Sequence, residues 1–357
     1  MLLKQKVAAL IALGKFLQQF GQTPFLLDRS LPDGENKFHD FISVLRQAEQ
    51  QNGWFTSDNL QFACQSWASA LTEKNIEKWL SEYDFSSSEK KTVAVIMAGN
   101  IPLVGLHDFL SVLVSGHRAL VKLSSNDRVL LPFLADYLAF VEPLWQENYI
   151  FTEERMTDFD AVIATGSNNT ARYFGYYFGQ KPHIIRKNRH SLAVLTGNES
   201  KEELYGLGED IFRYFGLGCR SVSKLFVPCG YDFDLFFNAI FPYGEIINNA
   251  KYANNYDYNK AVYLMSLSQL LENGFLMLKE DESGASPIAT IFYEYYENMS
   301  DLQTKIRANA ENIQCIVAKD FSGNDIPFGK TQQPELWEYA DGVDTVSFLT
   351  NLNKKTY

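Results

Sequence analysis

The chain has 357 residues, of which 46% are hydrophobic and 21% are charged. This length and composition predict a globular protein with either two α/β domains or one large one. The formal net charge is −11, from 32 basic and 43 acidic residues, and no basic run occurs. Because phosphate backbones are bound by concentrated Lys and Arg, these values argue against nucleic acid as the main partner.

The cysteines are far apart in the sequence, as is typical of a protein from a reducing cytosol rather than of a disulfide framework. They are Cys64, Cys219, Cys229 and Cys315. Lysines interrupt the apolar N-terminal stretch, which has neither a signal-peptide cleavage pattern nor a membrane-spanning length. We therefore expect a cytoplasmic protein without a membrane span. The histidines show no metal-ligand spacing, so no metal is expected.

Residues 1–90 are predicted to form a helical N-terminal region without chemistry of its own. Apolar residues recur at helical spacing in four stretches. These stretches are 2–20, 37–50, 59–71 and 74–83.

Residues 91–204 are predicted to form a Rossmann-type dinucleotide-binding domain. Apolar runs typical of buried parallel strands alternate with helical segments, which is the pattern of a doubly wound sheet. The predicted strands are 92–98, 119–123, 159–164, 184–185 and 192–195, and the predicted helices begin near 103, 124 and 169. The glycine-rich dinucleotide fingerprint is absent. A phosphate could instead face the helix that follows Gly166 and Ser167.

Residues 205–325 are predicted to form a smaller α/β catalytic domain. A helix over 201–215 leads to Gly216-Leu217-Gly218-Cys219, and a strand over 223–227 follows. Glycines beside a thiol let a substrate approach the sulfur, so Cys219 is the candidate nucleophile. Further elements are expected at 232–241, 288–293, 300–310 and 313–318. The tail, residues 326–357, contains a predicted strand at 345–349.

Four segments, in this order and at these separations, resemble the aldehyde dehydrogenase superfamily and, within it, the LuxC-like fatty acyl-CoA reductases. They are residues 99–103, 121–125, 164–167 and 216–227. The resemblance implies an aldehyde-dehydrogenase-like fold in which Cys219 is the nucleophile and the Asn100 amide helps to hold the oxyanion. Alone, Asn100 could be a turn residue, Gly166 and Ser167 a helix cap, and Lys122 a solvated lysine.

The resemblance also implies the cofactor site. Lys122, followed by Ser124 and Ser125, would contact the adenosine ribose, and Gly166 with Ser167 would lie beside the pyrophosphate. NAD-preferring relatives often carry a glutamate where Ser125 stands, so NADPH is favoured over NAD. Glu282 would hold the nicotinamide ribose, although strict alignment on the following proline places Ser283 there.

Aldehyde-oxidising members usually carry a water-activating glutamate where this chain has Arg186. Without such a base, hydrolysis of an acyl-enzyme should be slow, whereas a reductase needs no water. We therefore expect NADPH-dependent reduction of a (long-chain) acyl-CoA or other acyl thioester to an aldehyde through acyl-Cys219. Aldehyde oxidation, acyl-phosphate reduction and a non-catalytic acyl-carrying subunit remain alternatives.

The same resemblance implies the partners. The substrate would be an acyl-CoA or an acyl-protein, and a partner protein could transfer the acyl group. A homo-oligomer is expected, with the strand predicted at 345–349 as its interface.

Overall fold

The computed structural model describes residues 2–85 and 89–352. In these ranges it has helices at the places that the periodicity predicts, and some that it does not. They are α1 Leu3–Gln18, α2 Gly34–Gln51, α3 Ser57–Ala70, α4 Glu73–Ser81, α5 Leu106–Val114, α6 Leu130–Val141, α7 Asn168–Phe178, α8 Lys201–Phe212, α9 Phe233–Ile240, α10 Ala250–Met265, α11 Met299–Ala308 and α12 Thr345–Thr350.

The strands are short and mostly buried. They are β1 Thr92–Ile96, β2 Arg118–Lys122, β3 Tyr149–Phe151, β4 Ala161–Thr165, β5 His183–Arg186, β6 His190–Val194, β7 Val222–Pro228, β8 Leu271–Glu272, β9 Met277–Glu280, β10 Thr290–Tyr296 and β11 Ile313–Val317. The predicted α/β class with a helical N-terminus is confirmed. The sequence analysis missed α10, β3, β8 and β9.

The chain folds into two units. Unit 1 contains residues 1–187 and 335–357, and unit 2 contains residues 188–334. These units differ from the predicted segments, because the N-terminal helices share one apolar core with α5, α6 and α12. A segment joins whichever core buries its apolar face, and local periodicity does not reveal which core that is.

Unit 1 is built on a parallel sheet in the order β3-β2-β1-β4-β5. The chain moves outward in one direction from β1 to β3 and then returns to the other side with β4. In such sheets ligands bind outside the carboxyl ends of the strands, at the point where the strand order reverses. Here that point is the gap between the ends of β1 and β4.

Aromatic rings join the N-terminal helices to α6. The Phe16 ring stacks on Tyr137 at 4.1 Å between centroids and contacts Phe20 and Phe41. All four rings are fully buried, and each contributes a large apolar area to the core. This packing makes the N-terminal helices part of the core of unit 1.

Unit 2 has a sheet in the order β11-β6-β7-β10-β9-β8, parallel except for the last pair. One apolar cluster joins the sheet to α8 and α9, and another joins it to α11. The amino ends of β6 and β7 therefore lie side by side, with Cys219 in the turn that precedes β7.

The strand predicted at 345–349 is wrong, because these residues form helix α12. The Asp344 carboxylate accepts a hydrogen bond from the Ser347 amide at 2.8 Å and caps the helix. Capping of this kind outweighs the β-propensity of Thr345 and Val346. The proposed oligomerisation strand is therefore absent at this place.

His117 is fully buried in unit 1 in a way that requires the neutral ring. Its Nδ1 accepts a hydrogen bond from the Lys91 amide (3.2 Å), so the ring proton must be on Nε2, which lies 2.9 Å from the Leu349 carbonyl oxygen. Burial lowers the pKa of His117. A proton added to Nδ1 would face the Lys91 N–H, which can only donate.

Acid is therefore expected to destabilise the protein through His117. The folded-state pKa lies below the unfolded value of about 6.5. The contribution of the neutral His117 ring to the free energy of unfolding is therefore complete above about pH 6.5, and it is lost as the pH falls through the folded pKa. The loss should reach at most about 1.4 kcal/mol per pH unit. Melting temperatures between pH 7.5 and pH 5 should fall less steeply in His117→Gln than in the wild type. His39→Gln, at an exposed site, is the control; equal slopes in both variants would contradict the assignment.

Candidate active site

Cys219 lies in a turn whose backbone is held in an unusual conformation. After α8 ends, Tyr214, Phe215 and Gly216 have φ values of 55°, 58° and 74°. The left-handed region costs a non-glycine residue roughly 1–2 kcal/mol. Here both aromatic side chains are buried, and their packing maintains the turn. Backbone strain of this kind is concentrated at functional sites.

Two hydrogen bonds fix the backbone around the thiol. The Ser221 amide donates to the Gly218 carbonyl oxygen at 2.9 Å. From the start of β6, the fully buried Ser191 hydroxyl donates to the Cys219 carbonyl oxygen at 2.8 Å. Sequence reasoning missed Ser191, because the two residues become neighbours only when β6 pairs with β7.

The thiols differ in accessibility. Cys64 and Cys315 are buried, whereas Cys219 and Cys229 are exposed. Burial raises the pKa of the Cys64 thiol to about 12, so it is not a nucleophile at neutral pH. Cys219 and Cys229 lie beyond opposite ends of β7, so each can serve as a control for the other.

The loop that contains Asn100 packs directly on the loop that follows β2. A Cβ on Gly99 would lie 2.6 Å from the Ser124 Cβ, so only glycine permits this approach. The Leu103 amide donates to the buried Asp127 carboxylate at 3.4 Å. Burial raises the pKa of Asp127 to about 6. The Asn100 loop is thus attached to the Ser124 loop at both of its ends.

The predicted cofactor residues of unit 1 lie at the carboxyl edge of its sheet. Lys122 ends β2, and its ammonium group donates to the Glu154 carbonyl oxygen at 3.4 Å, a long contact. Ser125 is exposed, as is Ser167, which caps α7 by accepting from the Thr170 amide at 3.2 Å. A Cβ on Gly166 would lie 3.0 Å from the Thr170 Cβ. The turn therefore favours glycine.

Glu282 lies apart from those residues in the sequence, in an exposed part of unit 2 between β9 and β10. A hydrogen bond from the Ser223 hydroxyl to the Gly284 carbonyl oxygen (2.9 Å) holds this loop beside the start of β7. The buried Lys224 ammonium donates to the Asp281 carbonyl oxygen and pairs with Glu294 at 2.7 Å. Burial lowers the pKa of Lys224. The structure thus brings the Glu282 loop next to the start of β7, the strand that follows the Cys219 turn.

Arg186, at the place that the resemblance gives to the water-activating glutamate, is buried in unit 1. Its guanidinium forms an ion pair with Asp108 of α5. It also donates to the Thr345 hydroxyl at 3.0 Å. A guanidinium stays protonated in proteins, so this group cannot act as a general base.

Among residues 2–85 and 89–352 no group of three or more His, Cys, Asp or Glu side chains could hold a metal ion. His107 is half-buried, and its Nε2 lies 2.9 Å from the Leu336 carbonyl oxygen. Burial lowers the pKa of His190, whose ring packs against Gly284.

No helix in the described ranges is long and apolar enough to cross a membrane.

The model of the acyl-CoA reductase (LuxC) family matches residues 72–234, a span that contains Asn100, Lys122, Gly166 and Cys219. The resemblance to the LuxC family is confirmed. The LuxC-like span ends before Glu282. A long-chain acyl-protein thioester reductase of Aliivibrio fischeri is 25% identical over 232 residues, which is 58% of this chain and 47% of that protein. The chain thus matches about half the length of this curated relative.

Solved structures support the fold around the LuxC-like span. Aldehyde dehydrogenase 21 from Physcomitrella patens, in complex with succinate, has a TM-score of 0.66 at 12% identity over 91% of this chain and 75% of its own. The indole-3-acetaldehyde dehydrogenase AldA of P. syringae, in complex with NAD+ and IAA, has a TM-score of 0.63 at 11% identity, covering 91% and 74%. An NADP-dependent enzyme of E. coli has a TM-score of 0.61 at 12% identity, covering 90% and 74%. The fold is that of aldehyde dehydrogenases.

Proposed function

We propose that this protein reduces a long-chain acyl thioester to an aldehyde with NADPH through an acyl-Cys219 intermediate. The observation that carries the proposal is the exposed Cys219 thiol on a turn fixed by Ser191, within the span that matches the acyl-CoA reductase family. The relative named for acyl-protein thioesters suggests that the acyl donor is either a CoA or a protein thioester.

In the first step the Cys219 sulfur bonds to the thioester carbonyl carbon, the carbon–sulfur bond to the donor breaks, and the donor leaves as a thiol. Bound NADPH would supply the hydride that reduces the acyl group. The resulting thiohemiacetal then collapses: its carbon–sulfur bond breaks, the aldehyde leaves, and a proton returns to the thiol. Asn100 remains the predicted oxyanion donor.

Reduction is favoured over aldehyde oxidation because Arg186 is an unsuitable base and is occupied by Asp108 and Thr345. Oxidation requires an activated water to release the acid from the acyl-enzyme. A chain without that base should retain its acyl group until hydride arrives. This is the behaviour of a reductase.

The residues at the carboxyl edge of unit 1 fit a phosphorylated dinucleotide. The α7 N-terminus carries a partial positive charge that suits a pyrophosphate beside Gly166 and Ser167. The Lys122 ammonium and the neutral Ser124 loop, in which Ser125 is exposed, suit a 2′-phosphate. Glu282 is the proposed contact for the nicotinamide ribose.

Ser125→Glu is expected to reduce kcat/KM for NADPH by roughly tenfold or more while leaving the value for NADH within a few-fold, because the added carboxylate repels the 2′-phosphate. Ser125→Gln, of similar size without the charge, separates repulsion from steric hindrance. An equal loss for both cofactors in Ser125→Glu would argue against a 2′-phosphate at this place.

The function is tested by steady-state assays with tetradecanoyl-CoA and a tetradecanoyl-loaded carrier protein, each with NADPH or NADH. The expected result is aldehyde formation with at least one donor and NADPH preferred, with only slow oxidation of tetradecanal by NAD. Faster oxidation than reduction would overturn the proposal. Labelling of the protein by acyl-CoA without turnover would indicate the acyl-carrying subunit instead.

A further inference from the structure

The two residues that follow Cys219 are attached to a distant part of the sequence. The Arg220 Nε donates to the Thr331 carbonyl oxygen. The Gln332 side-chain amide donates to the Ser221 hydroxyl at 3.1 Å. We call residues 328–332 the strap. Its bonds hold Arg220 and Ser221, while Ser191 holds Cys219, so three successive residues before β7 are fixed by hydrogen bonds.

The strap lies directly on helix α8 because two glycines allow close approach. A Cβ on Gly206 would lie 3.1 Å from the Phe328 carbonyl carbon. Gly329 has a φ of 80°, and a Cβ there would lie 3.2 Å from the Gly206 Cα. The strap and α8 are therefore in backbone contact, and any larger residue at either place would separate them.

Asp210, fully buried on α8, anchors the strap. Its carboxylate accepts hydrogen bonds from the Gly329 amide (2.6 Å), the Thr331 amide (2.9 Å) and the Thr331 hydroxyl (2.8 Å). Leu207 and Ile211 beside it on the helix are buried apolar residues. A carboxylate among apolar neighbours is costly unless its bonds are all made.

We infer that Asp210 is a positioning residue for Cys219, acting through the strap and its bonds to Arg220 and Ser221. This inference rests on the proposed function, in which Cys219 attacks the thioester. Burial raises the pKa of Asp210, and the hydrogen bonds from the Thr331 and Gly329 amides offset part of this increase. The resulting pKa is about 6. The group is therefore a carboxylate at neutral pH. The ionised group can accept from all three donors without adding an O–H donor that would need a partner of its own.

The expected consequence of losing this anchor is a displaced thiol in a folded protein. A shift of about 1 Å at a reacting atom can slow a reaction roughly 100-fold. Substrate binding by the remaining surface would change little. The effect should therefore appear in the acylation rate at saturating acyl thioester rather than in KM.

The test compares Asp210→Asn with Asp325→Asn in the full chain. Asp325, in the same unit, accepts bonds from the Phe321 and Ser322 amides, which lie outside the strap. Single-turnover acylation of Cys219 by labelled tetradecanoyl-CoA, without NADPH, is measured beside amide hydrogen exchange of residues 213–221. Asp210→Asn should acylate at least tenfold more slowly, with KM within about twofold and faster exchange in this peptide, while Asp325→Asn should match the wild type.

Thr331→Val keeps the backbone bonds to Asp210 but removes the hydroxyl, and Thr331→Ser retains it. Slower acylation in the valine variant and near wild-type acylation in the serine variant are expected even if Asp210→Asn fails to fold. Wild-type acylation and exchange in a folded Asp210→Asn, or in Thr331→Val, would overturn the inference. Failure of the wild type to be acylated at Cys219 would overturn the proposed function instead, and the exchange measurement would still report whether Asp210 orders the turn.

Discussion

Replacement of Cys219 by serine is expected to lower the rate of acylation by acyl thioesters roughly 1,000-fold or more, because a hydroxyl is a far weaker nucleophile than a thiolate. The bonds from Ser191 to the Cys219 backbone and from Ser221 to Gly218 do not involve the thiol. The turn should therefore persist in the variant. Labelling with radioactive acyl-CoA, followed by gel separation, measures the loss directly.

The control is Cys229→Ser, which removes the other exposed thiol while leaving the Cys219 turn intact. It should be labelled and should turn over like the wild type. Cys315→Ser is a less clean control, because the Cys315 sulfur lies 3.0 Å from the Ser191 hydroxyl. If Cys219→Ser and Cys229→Ser were labelled equally, the nucleophile would be misassigned.

Replacement of Arg186 by methionine is expected to lower the free energy of unfolding by about 3–5 kcal/mol, because it leaves the buried Asp108 carboxylate without its partner. The side chains of this pair are only 6% and 11% exposed. The Thr345 hydroxyl, which accepts from Arg186, would lose a bond as well. Urea denaturation followed by fluorescence, with activity as a second probe, measures the loss.

Arg128→Met is the matched control. Arg128 pairs with Glu153 at 3.0 Å, but these side chains are 54% and 85% exposed, and exposed pairs contribute only about 0–1 kcal/mol. The double variant Arg186→Met/Asp108→Leu should recover much of the lost stability, because apolar replacement of both partners is often neutral. A loss in Arg186→Met no larger than in Arg128→Met would contradict a buried ion pair.

The buried ion pair of Arg186 and Asp108 also affects attempts to convert the protein into an aldehyde oxidase. Arg186→Glu would restore the residue type that the resemblance expects, but it would place a second carboxylate beside Asp108 in a buried site. Like charges in such a site repel each other and resist ionisation. We expect a destabilised protein and no gain in acyl-enzyme hydrolysis.

The elements that sequence reasoning predicted correctly are those whose signal is local. The buried strands β1 and β4 are continuous apolar runs, and α1 and α8 show helical spacing bounded by glycine or a capping serine. These patterns depend on neighbours within one or two turns. Where local signals conflicted, as in the β-branched residues of α12 behind the Asp344 cap, the prediction was wrong.

By itself, the sequence determined the α/β class, the places of most of the strands, and the presence of a thiol just after two glycines and before a strand. These follow from periodicity and from the few residues that permit a turn. The family resemblance added the candidate roles of Asn100, Lys122 and Cys219, which remain proposals.

Only the tertiary structure decided what each buried charge does. Arg186 meets Asp108 and Thr345, and Asp210 meets Gly329 and Thr331, across long separations in the chain. A charged group is stable in an apolar interior only where the fold places hydrogen-bonding partners beside it. Local sequence patterns do not indicate partners that lie so far away in the chain. In the sequence, the signal of the strap was the Asp210 carboxylate on the apolar face of α8. Its role became clear only from the residues that the fold places against it.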